Sequence, residues 1–352
     1  MKLSLDAMGG DHAPDINIDG AKQALDQVDS LEKLYLVGDE AELKRRCDAA
    51  GFGADPRLEI VHAPEVVGMD ESGLVAVRQK KHSSMSIAVD LVKDGVCDAV
   101  LSAGNTGAEV AACTIKLRLL QGVERAGIVS PIPNSRGYLL VSDTGANPDA
   151  KPSHLVGYAV MSAMMARYIY GIPEPRVAVM SNGTEDCKGS DFSKETHRLL
   201  RHLADKQQLP FRFIGNREGH DLFESDMDVA LTDGFTGNIL LKTIEATAKT
   251  FSHMIKDGIK KSPIAMVGAL GMRGVFRSIG GRLNADSVGG CPLMGVKGVS
   301  IIAHGSASAR AILNATRMAE GMCRHSVNSR IVDAMAPINE ELRHLAEEES
   351  VK

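Results

Sequence analysis

Short apolar runs alternate with amphipathic stretches from the first residues onward. Leu3-Ser-Leu5 predicts a strand. Pro14 suits a helix start, and the spacing predicts a helix from Asp15 to about Val28. Leu34–Val37 reads as a second strand, Asp39–Ala50 as a second helix stopped by Gly51, and Leu58–Val61 as a third strand. Residues 63–75, with Gly68 and Gly73, read as a loop. Ser84–Lys93 puts Met85, Ala88, Leu91 and Val92 on one helical face. Strand Asp98–Leu101 and helix Glu109–Lys116 follow. Ala126–Ser130 and Tyr138–Val141 flank a turn containing Pro131, Pro133, Asn134 and Gly137, which predicts a hairpin. Strands are expected at Val177–Met180, Phe211–Ile214, Val229–Leu231 and Val299–Ile302, with helices at Ser153–Tyr170 and Ser193–Lys206. A last core helix carries Ile312, Ala315, Ala319 and Met322 in register, and the charged end Glu340–Lys352 reads as frayed. This alternation argues for an α/β fold, a three-layer αβα sandwich around a mainly parallel sheet.

The strand ends carry the candidate chemistry. Ser102-Ala-Gly-Asn-Thr-Gly-Ala108 lies between a buried strand and a helix, the layout in which free backbone N–H groups at a helix start can face an anion. Gly104 and Gly107 allow close approach, while Asn105 and Thr106 add donors and a cap. Alone, such a run is also a plain connection. The pattern recurs after several strands: Ser142–Asn147, Ser181–Gly189, Gly215-Asn216, Thr232–Asn238 and His304–Ser306. If the carboxyl ends lie along one sheet edge, these runs converge on one cleft.

Composition narrows the class. The chain has 352 residues and a formal charge of −5, so nothing marks it as a nucleic-acid binder. That length alone favours two domains, but a large α/β sheet can hold it as one unit. The six cysteines are scattered with no C-x-x-C, which fits reduced thiols in the cytoplasm. No signal peptide or bilayer-length apolar segment is apparent. There is no Walker loop, no G-x-G-x-x-G after a strand, no G-x-S-x-G, no H-E-x-x-H and no metal-spaced His/Cys cluster. No metal and no cofactor are implied. An anion site without an obvious protein nucleophile fits direct attack of an oxyanion on an activated acyl group, with the protein placing phosphate and stabilising the tetrahedral oxyanion.

Asp6-Ala-Met-Gly-Gly-Asp11, Ser102–Ala108, Gly145-Ala-Asn147, Asp233-Gly-Phe-Thr-Gly-Asn238, Gly295-Val-Lys-Gly298 and Ala303-His-Gly-Ser306 together resemble the bacterial phosphate acyltransferases of phospholipid synthesis, the PlsX family. The resemblance spans nearly the whole chain, in order. It implies transfer of a fatty acyl chain from acyl carrier protein to inorganic phosphate. It also implies a fold related to phosphate acetyltransferases and isocitrate/isopropylmalate dehydrogenases, a homodimer, and peripheral attachment to the membrane beside a membrane-bound glycerol-3-phosphate acyltransferase. Carried onto this sequence, Lys188 is a cation for phosphate or the thioester oxygen, or a solvated lysine. Asn238 is a carbonyl-polarising amide or a helix cap. Asp233 orients donors or closes a turn, and His304 is an acid, a ligand contact or a structural histidine. Asp6, Gly9, Gly10, Ser102, Gly104, Asn105, Thr106, Gly107, Asn147, Thr236 and Gly237 are the phosphate- or substrate-binding set. Cys187, beside Lys188, is read as incidental. Ser181-Asn-Gly-Thr-Glu185, Val288-Gly-Gly-Cys-Pro292 and His82 depart from the family pattern.

Ile239 to about Lys261 reads as one long helix, and a second apolar stretch runs from Ile264 to Ile279. Lys260, Lys261, Arg273 and Arg277 are interspersed with apolar residues such as Phe276. The expectation is a helical hairpin over 239–285, projecting from a single catalytic unit of 1–352. It contacts a membrane surface, the acidic carrier protein or both, or else packs as a dimer-interface or core helix pair with solvated lysines. Competing functional readings are a phosphate acetyltransferase using acyl coenzyme A, a decarboxylating dehydrogenase, and a binding module without catalysis.

Overall fold

The computed structural model describes residues 1–224, 226–283, 286 and 288–350, without the side chains of Arg277, Arg282 and Leu283. The first part contains β1 (Lys2–Asp6), α1 (Asp15–Gln27), β2 (Lys33–Gly38), α2 (Glu40–Ala49), β3 (Leu58–His62), α3 (Gly73–Gln79), α4 (Ser84–Lys93), β4 (Ala99–Ser102) and α5 (Thr106–Lys116). A hairpin of β5 (Gly127–Asn134) and β6 (Gly137–Ser142) leads into α6 (Pro152–Tyr168), β7 (Arg176–Met180), α7 (Asp191–Asp205), β8 (Arg212–Arg217), α8 (Asp221–Glu224) and β9 (Val229–Leu231). Then come α9 (Gly234–Lys260), α10 (Pro263–Gly271), α11 (Arg273–Leu283), β10 (Cys291–Met294), β11 (Val299–Ile302), α12 (Ala309–Arg324) and α13 (Val327–Ser350).

Among the described residues these strands form one eleven-stranded sheet, in the order β3-β2-β1-β4-β11-β10-β5-β6-β9-β7-β8. The expected α/β architecture and the β5–β6 hairpin are both present. The strand directions correct one expectation. β3, β2, β1, β4 and β11 are mutually parallel, as are β6, β9, β7 and β8. Between the two sets lie three successive antiparallel pairings, β11–β10, β10–β5 and β5–β6, so the two sets run in opposite directions. The carboxyl ends therefore do not lie along one edge. They approach from opposite sides and meet near the middle: Ile302, closing β11, pairs with Cys291, and Ser142, closing β6, pairs with Val129. The short strand β10, which makes this reversal possible, has no periodic signature and was not anticipated from the pattern.

Helices cover both faces. α1, α2, α6, α7, α12 and α13 pack on one core, while α4 and α5 pack on a second. α6 is buried over His154–Ala166, as expected of a helix apolar all round. α1 sits close on α12 because Gly20 leaves room there; a Cβ on it would fall 2.4 Å from Ile312 Cβ. The end expected to fray is instead helical: α13 runs to Ser350, with Glu341 paired to His202 at 2.8 Å and Glu349 to Arg198 at 2.8 Å.

The stretch expected as a hairpin is three helices, because the second apolar run breaks at Met272. α10 and the side chains given for α9 and α11 are mostly solvent-facing after the first turn of α9: Ile264 is 85% exposed, Leu270 72% and Val267 71%. Lys260, Lys261, Arg273 and Phe276 are exposed as well; the Arg277 side chain lies outside the described residues. No helix among the described residues is long and apolar enough to cross a membrane.

One feature of the core is titratable. Glu109 in α5 is fully buried; its Oε1 accepts a 2.9 Å bond from Ser300 Oγ on β11, and its Oε2 has no partner. Burial holds its carboxyl well above the ordinary range, against the smaller opposing effect of the Ser300 hydroxyl. An acid with a raised folded-state pKa favours the native state fully at pH below the ordinary glutamate value, and that contribution is lost as pH rises through the raised value. Thermal melts from pH 5 to 8 are expected to show the Glu109→Gln protein gaining on the wild type as pH rises. A constant difference across that range contradicts the assignment.

Candidate active site

Three strand-end turns form a knot at the β1–β4–β11 tips. Asp6, closing β1, is 2% exposed; its Oδ2 accepts from Ser102 Oγ at 2.8 Å, and its Oδ1 from Met8 N at 3.2 Å. Ser102 Oγ in turn accepts from Gly104 N at 3.0 Å. Burial raises the Asp6 pKa, partly offset by hydrogen bonds to its charged form. Gly9 lies against this pair, since a Cβ there would be 2.6 Å from Asp6 Oδ2 and 2.8 Å from Gly104 N. Gly10 has φ +111° and backs onto Gly305 O, which also accepts from Asp11 N at 2.8 Å. Asp6, Gly9, Gly10, Ser102 and Gly104 thus shape the turn before α5.

Asn105 is committed to structure. Its Oδ1 caps α5 through Ala108 N at 3.0 Å, and its Nδ2 donates to Glu71 O at 2.8 Å and to Gly68 O and Met69 O at 3.2 Å. Thr106 and Gly107 remain exposed at the helix start, where the first N–H groups of an α-helix lack intrahelical partners.

The opposing tips are organised by Asp143, which is fully buried. Its carboxylate accepts from Ile128 N at 3.0 Å, Gly145 N at 3.1 Å, Ala146 N at 3.0 Å and Asn147 N at 2.7 Å. Asn147 spends its own amide on Ala126 O and Tyr158 Oη, and its carbonyl accepts from Gly234 N at 3.0 Å. Gly237 must be small, because a Cβ would fall 1.9 Å from Asp143 O. Asp233 is the N-cap of α9, accepting from Thr236 N at 2.8 Å and Thr236 Oγ1 at 2.7 Å. The helix therefore starts at Gly234, and Asn238 is not its cap; it is exposed one turn inside.

The two sets of tips enclose a cavity of about 180 Å³. Its lining includes the polar residues Thr106, Thr144, Asn238, Lys242 and His304 and the apolar residues Ile128, Pro131, Leu241 and Ile302. His304 Nδ1 accepts from Ser306 N at 3.2 Å and lies 2.8 Å from Ser306 Oγ, while Nε2 lies 3.3 Å from Lys242 Nζ. Lys242 also pairs with Glu245 at 3.3 Å. Cys291 lines the same space, 3.2 Å from Ser130 Oγ, and burial raises its thiol, which disfavours the nucleophilic thiolate.

A second cavity, also of about 180 Å³, lies across the first turn of α9 and is lined by Ser181, Ser190, Ser193, Asp233 and Thr236 among others. The structure therefore separates some predicted residues from others. Asn238, His304 and Thr106 share the first cavity, while Asp233 and Thr236 face the second. Lys188 lines neither; it is exposed on the loop before α7, beside Gly189 and Ser190 of the second cavity. The sequence reading missed Lys242 and Asp143. Lys242 sits two turns into a helix read for its apolar face. Asp143 lies in a flagged run, but nothing local distinguishes a buried acceptor from a turn aspartate. Among the described residues no group of three or more His, Cys, Asp or Glu is placed to hold a metal ion.

The chain is similar to known proteins over nearly its whole length. A family profile described as "Fatty acid synthesis protein" matches residues 1–330. A phosphate acyltransferase of Akkermansia muciniphila is 62% identical over 336 residues, 96% of both chains. One from Elusimicrobium minutum is 41% identical over 340 residues, 97% of both. The chain belongs to the phosphate acyltransferase family. As a member of the PlsX phosphate acyltransferases it is an enzyme, a transferase of lipid biosynthesis. The fold is also that of more distant solved structures. A phosphotransacetylase from Streptococcus pyogenes is similar with TM-score 0.59 at 18% identity, covering 92% of this chain and 94% of that one. A branched-chain phosphotransacylase from Enterococcus faecalis is similar with TM-score 0.57 at 15% identity, covering 92% and 99%.

In this phosphate acyltransferase, Asp143→Ala is expected to leave the amides of Ile128, Gly145, Ala146 and Asn147 without their acceptor. Each buried unpaired group costs about 1–3 kcal/mol, so a loss of roughly 3 kcal/mol or more is expected in denaturant unfolding. A change under about 0.5 kcal/mol would remove Asp143 from its organising place.

Proposed function

We propose that this chain transfers a fatty acyl group from acyl carrier protein to inorganic phosphate, and that the reaction takes place in the first cavity. One observation supports the reading: a single cavity is lined both by apolar residues suited to an acyl chain, Ile128, Pro131, Leu241 and Ile302, and by Lys242, Asn238, His304 and the helix-start residue Thr106. Phosphate lies at the N-terminus of α5, where unpartnered N–H groups and the helix dipole favour an anion, with Lys242 as the cation opposite. Asn238 donates its amide to the thioester carbonyl oxygen as negative charge develops there.

A phosphate oxygen attacks the carbonyl carbon, the carbon–sulfur bond breaks, and the thiolate leaves. His304 relays the proton of monohydrogen phosphate to that thiolate, so acyl phosphate and free thiol balance thioester and phosphate. No covalent enzyme intermediate is needed, in keeping with the raised thiol of Cys291. Lys188, on its exposed loop, attracts the anionic substrates.

In this reading residues 1–352 act as one catalytic unit. α9 to α11 form an arm that lies on the membrane surface, its exposed apolar residues entering the interface and Lys260, Lys261 and Arg273 meeting anionic headgroups. The protein is then a cytoplasmic, peripherally attached homodimer that delivers acyl phosphate to a membrane-bound glycerol-3-phosphate acyltransferase.

Phosphate-dependent release of acyl groups from long-chain acyl carrier protein, run beside acyl coenzyme A, tests the reaction. Asn238→Ala is expected to lower kcat roughly 100- to 1,000-fold, as for loss of one oxyanion donor. Lys188→Ala is expected to raise KM for phosphate with a smaller effect on kcat. Activity with short acyl coenzyme A alone would make the protein a phosphate acetyltransferase instead. For the arm, reversing Lys260, Lys261 and Arg273 to Glu is expected to abolish co-sedimentation with anionic phosphatidylglycerol vesicles while the melting temperature holds. Undiminished sedimentation would end the membrane reading.

A further inference from the structure

Lys188 is exposed, yet the loop that carries it is tied down close to it. The loop leaves β7, and Ser181 N donates to Arg217 O at 2.8 Å, which extends the β7–β8 pairing into its first residue. Further on, one carbonyl takes two bonds. Glu185 O accepts from Lys188 N at 3.0 Å and from Asn216 Nδ2 at 2.9 Å. Asn216 is 1% exposed on β8, and its Oδ1 has no hydrogen-bond partner among the described residues. The bond to Glu185 is therefore the one task of its side chain there. A bulge lies just before it. Val177 pairs with Phe213 and Val179 with Asn216, so a step of two residues on β7 matches a step of three on β8, with Gly215 at φ +80°. An extra residue of this kind re-aims the side chains that follow it. Asp186, next along the loop, lies 3.2 Å from His197 Nε2 on α7.

The lysine stem is bedded as well. Gly183 is buried, and a Cβ on it would fall 2.7 Å from Lys188 Cγ and 3.2 Å from Lys188 Cβ. On the other side, a Cβ on Gly189 would fall 2.1 Å from Ser193 Oγ and 2.9 Å from Ser181 Oγ. The stem thus lies on one glycine and is followed by another that is fitted against α7. A free stem swings its ammonium through several ångströms, a large part of the roughly 8 Å over which salt screens an exposed charge. It also loses rotamer freedom when the charge settles on an anion. A stem held in one direction does less of both.

We propose that Asn216, through the Glu185 carbonyl, and Gly183, beneath the stem, are positioning residues that aim Lys188 for phosphate capture. Both act through Lys188 and not on substrate. This rests on the reading of Lys188 as a cation that draws phosphate in.

The test is KM for phosphate and kcat in acyl phosphate formation from palmitoyl-loaded carrier protein. It compares Asn216→Leu, Gly183→Ala and Lys188→Ala, and each of the first two combined with Lys188→Ala. Leucine keeps the asparagine's volume and removes its donor. Gly183→Ala changes the loop and not the sheet, so it reads the aim even where Asn216→Leu does not fold. Each of these two changes is expected to raise KM about three- to tenfold, the worth of one ordinary hydrogen bond, with kcat within about twofold. In the Lys188→Ala background neither raises KM further. A wild-type KM in either folded variant, or an added rise in the Lys188→Ala background, overturns the positioning and leaves the cation reading standing. A Lys188→Ala protein with wild-type KM overturns both. A wild-type protein that forms no acyl phosphate overturns the function, and the positioning with it.

Discussion

The reversal of strand direction between β11 and β6 is the constraint on which the rest of the molecule depends. A purely parallel sheet would put its polar turns along one edge, facing solvent. Here two oppositely running sets bring their carboxyl ends together, and the cavity is the space between them. The reversal needs a buried acceptor, because the backbone after β6 turns sharply beside the start of β5. Asp143 meets that need by taking four amides from both segments. The glycines at 234 and 237 then let α9 begin directly against it. Asn238 and Lys242 reach the cavity because the helix start is placed in this way.

The polar groups divide by task. Asp6, Ser102, Asn105, Asn147 and Asp233 spend their hydrogen-bonding capacity on the backbone and side chains of the turns they fix. Thr106, Asn238, Lys242 and His304 are left facing the cavity. In the proposed reaction these are the groups that would meet the developing oxyanion. The same economy explains the glycines. Gly9, Gly234 and Gly237 sit where any side chain would strike a carboxylate or a carbonyl of the supporting layer.

The arm obeys a different logic. Among the described residues, α10 and α11 contribute nothing to the hydrophobic clusters, and Ile264, Val267, Leu270, Val275 and Ile279 remain exposed. Exposed side chains such as Ile264, Val267 and Leu270 are unfavourable in water, and the proposed membrane contact would remove them from it. Family membership gives the enzyme its setting in lipid biosynthesis.

By itself, the sequence determined most of the elements, the α/β class and the family. Local periodicity, Pro14, Gly51 and the capping side chains act over a few residues, and motif runs such as Asp233–Asn238 are contiguous. It also located the polar turns from which the cavity is built. Only the tertiary structure decided which turns meet. The strand directions depend on β10, a four-residue strand without periodicity, and on long-range pairings that no local signal encodes. For the same reason Lys188, in a polar turn, falls outside the first cavity, while Lys242, on a helix, lines it. Asp143 and Glu109 are set apart only by burial, a property that a carboxylate acquires from its surroundings and not from its neighbours in the chain.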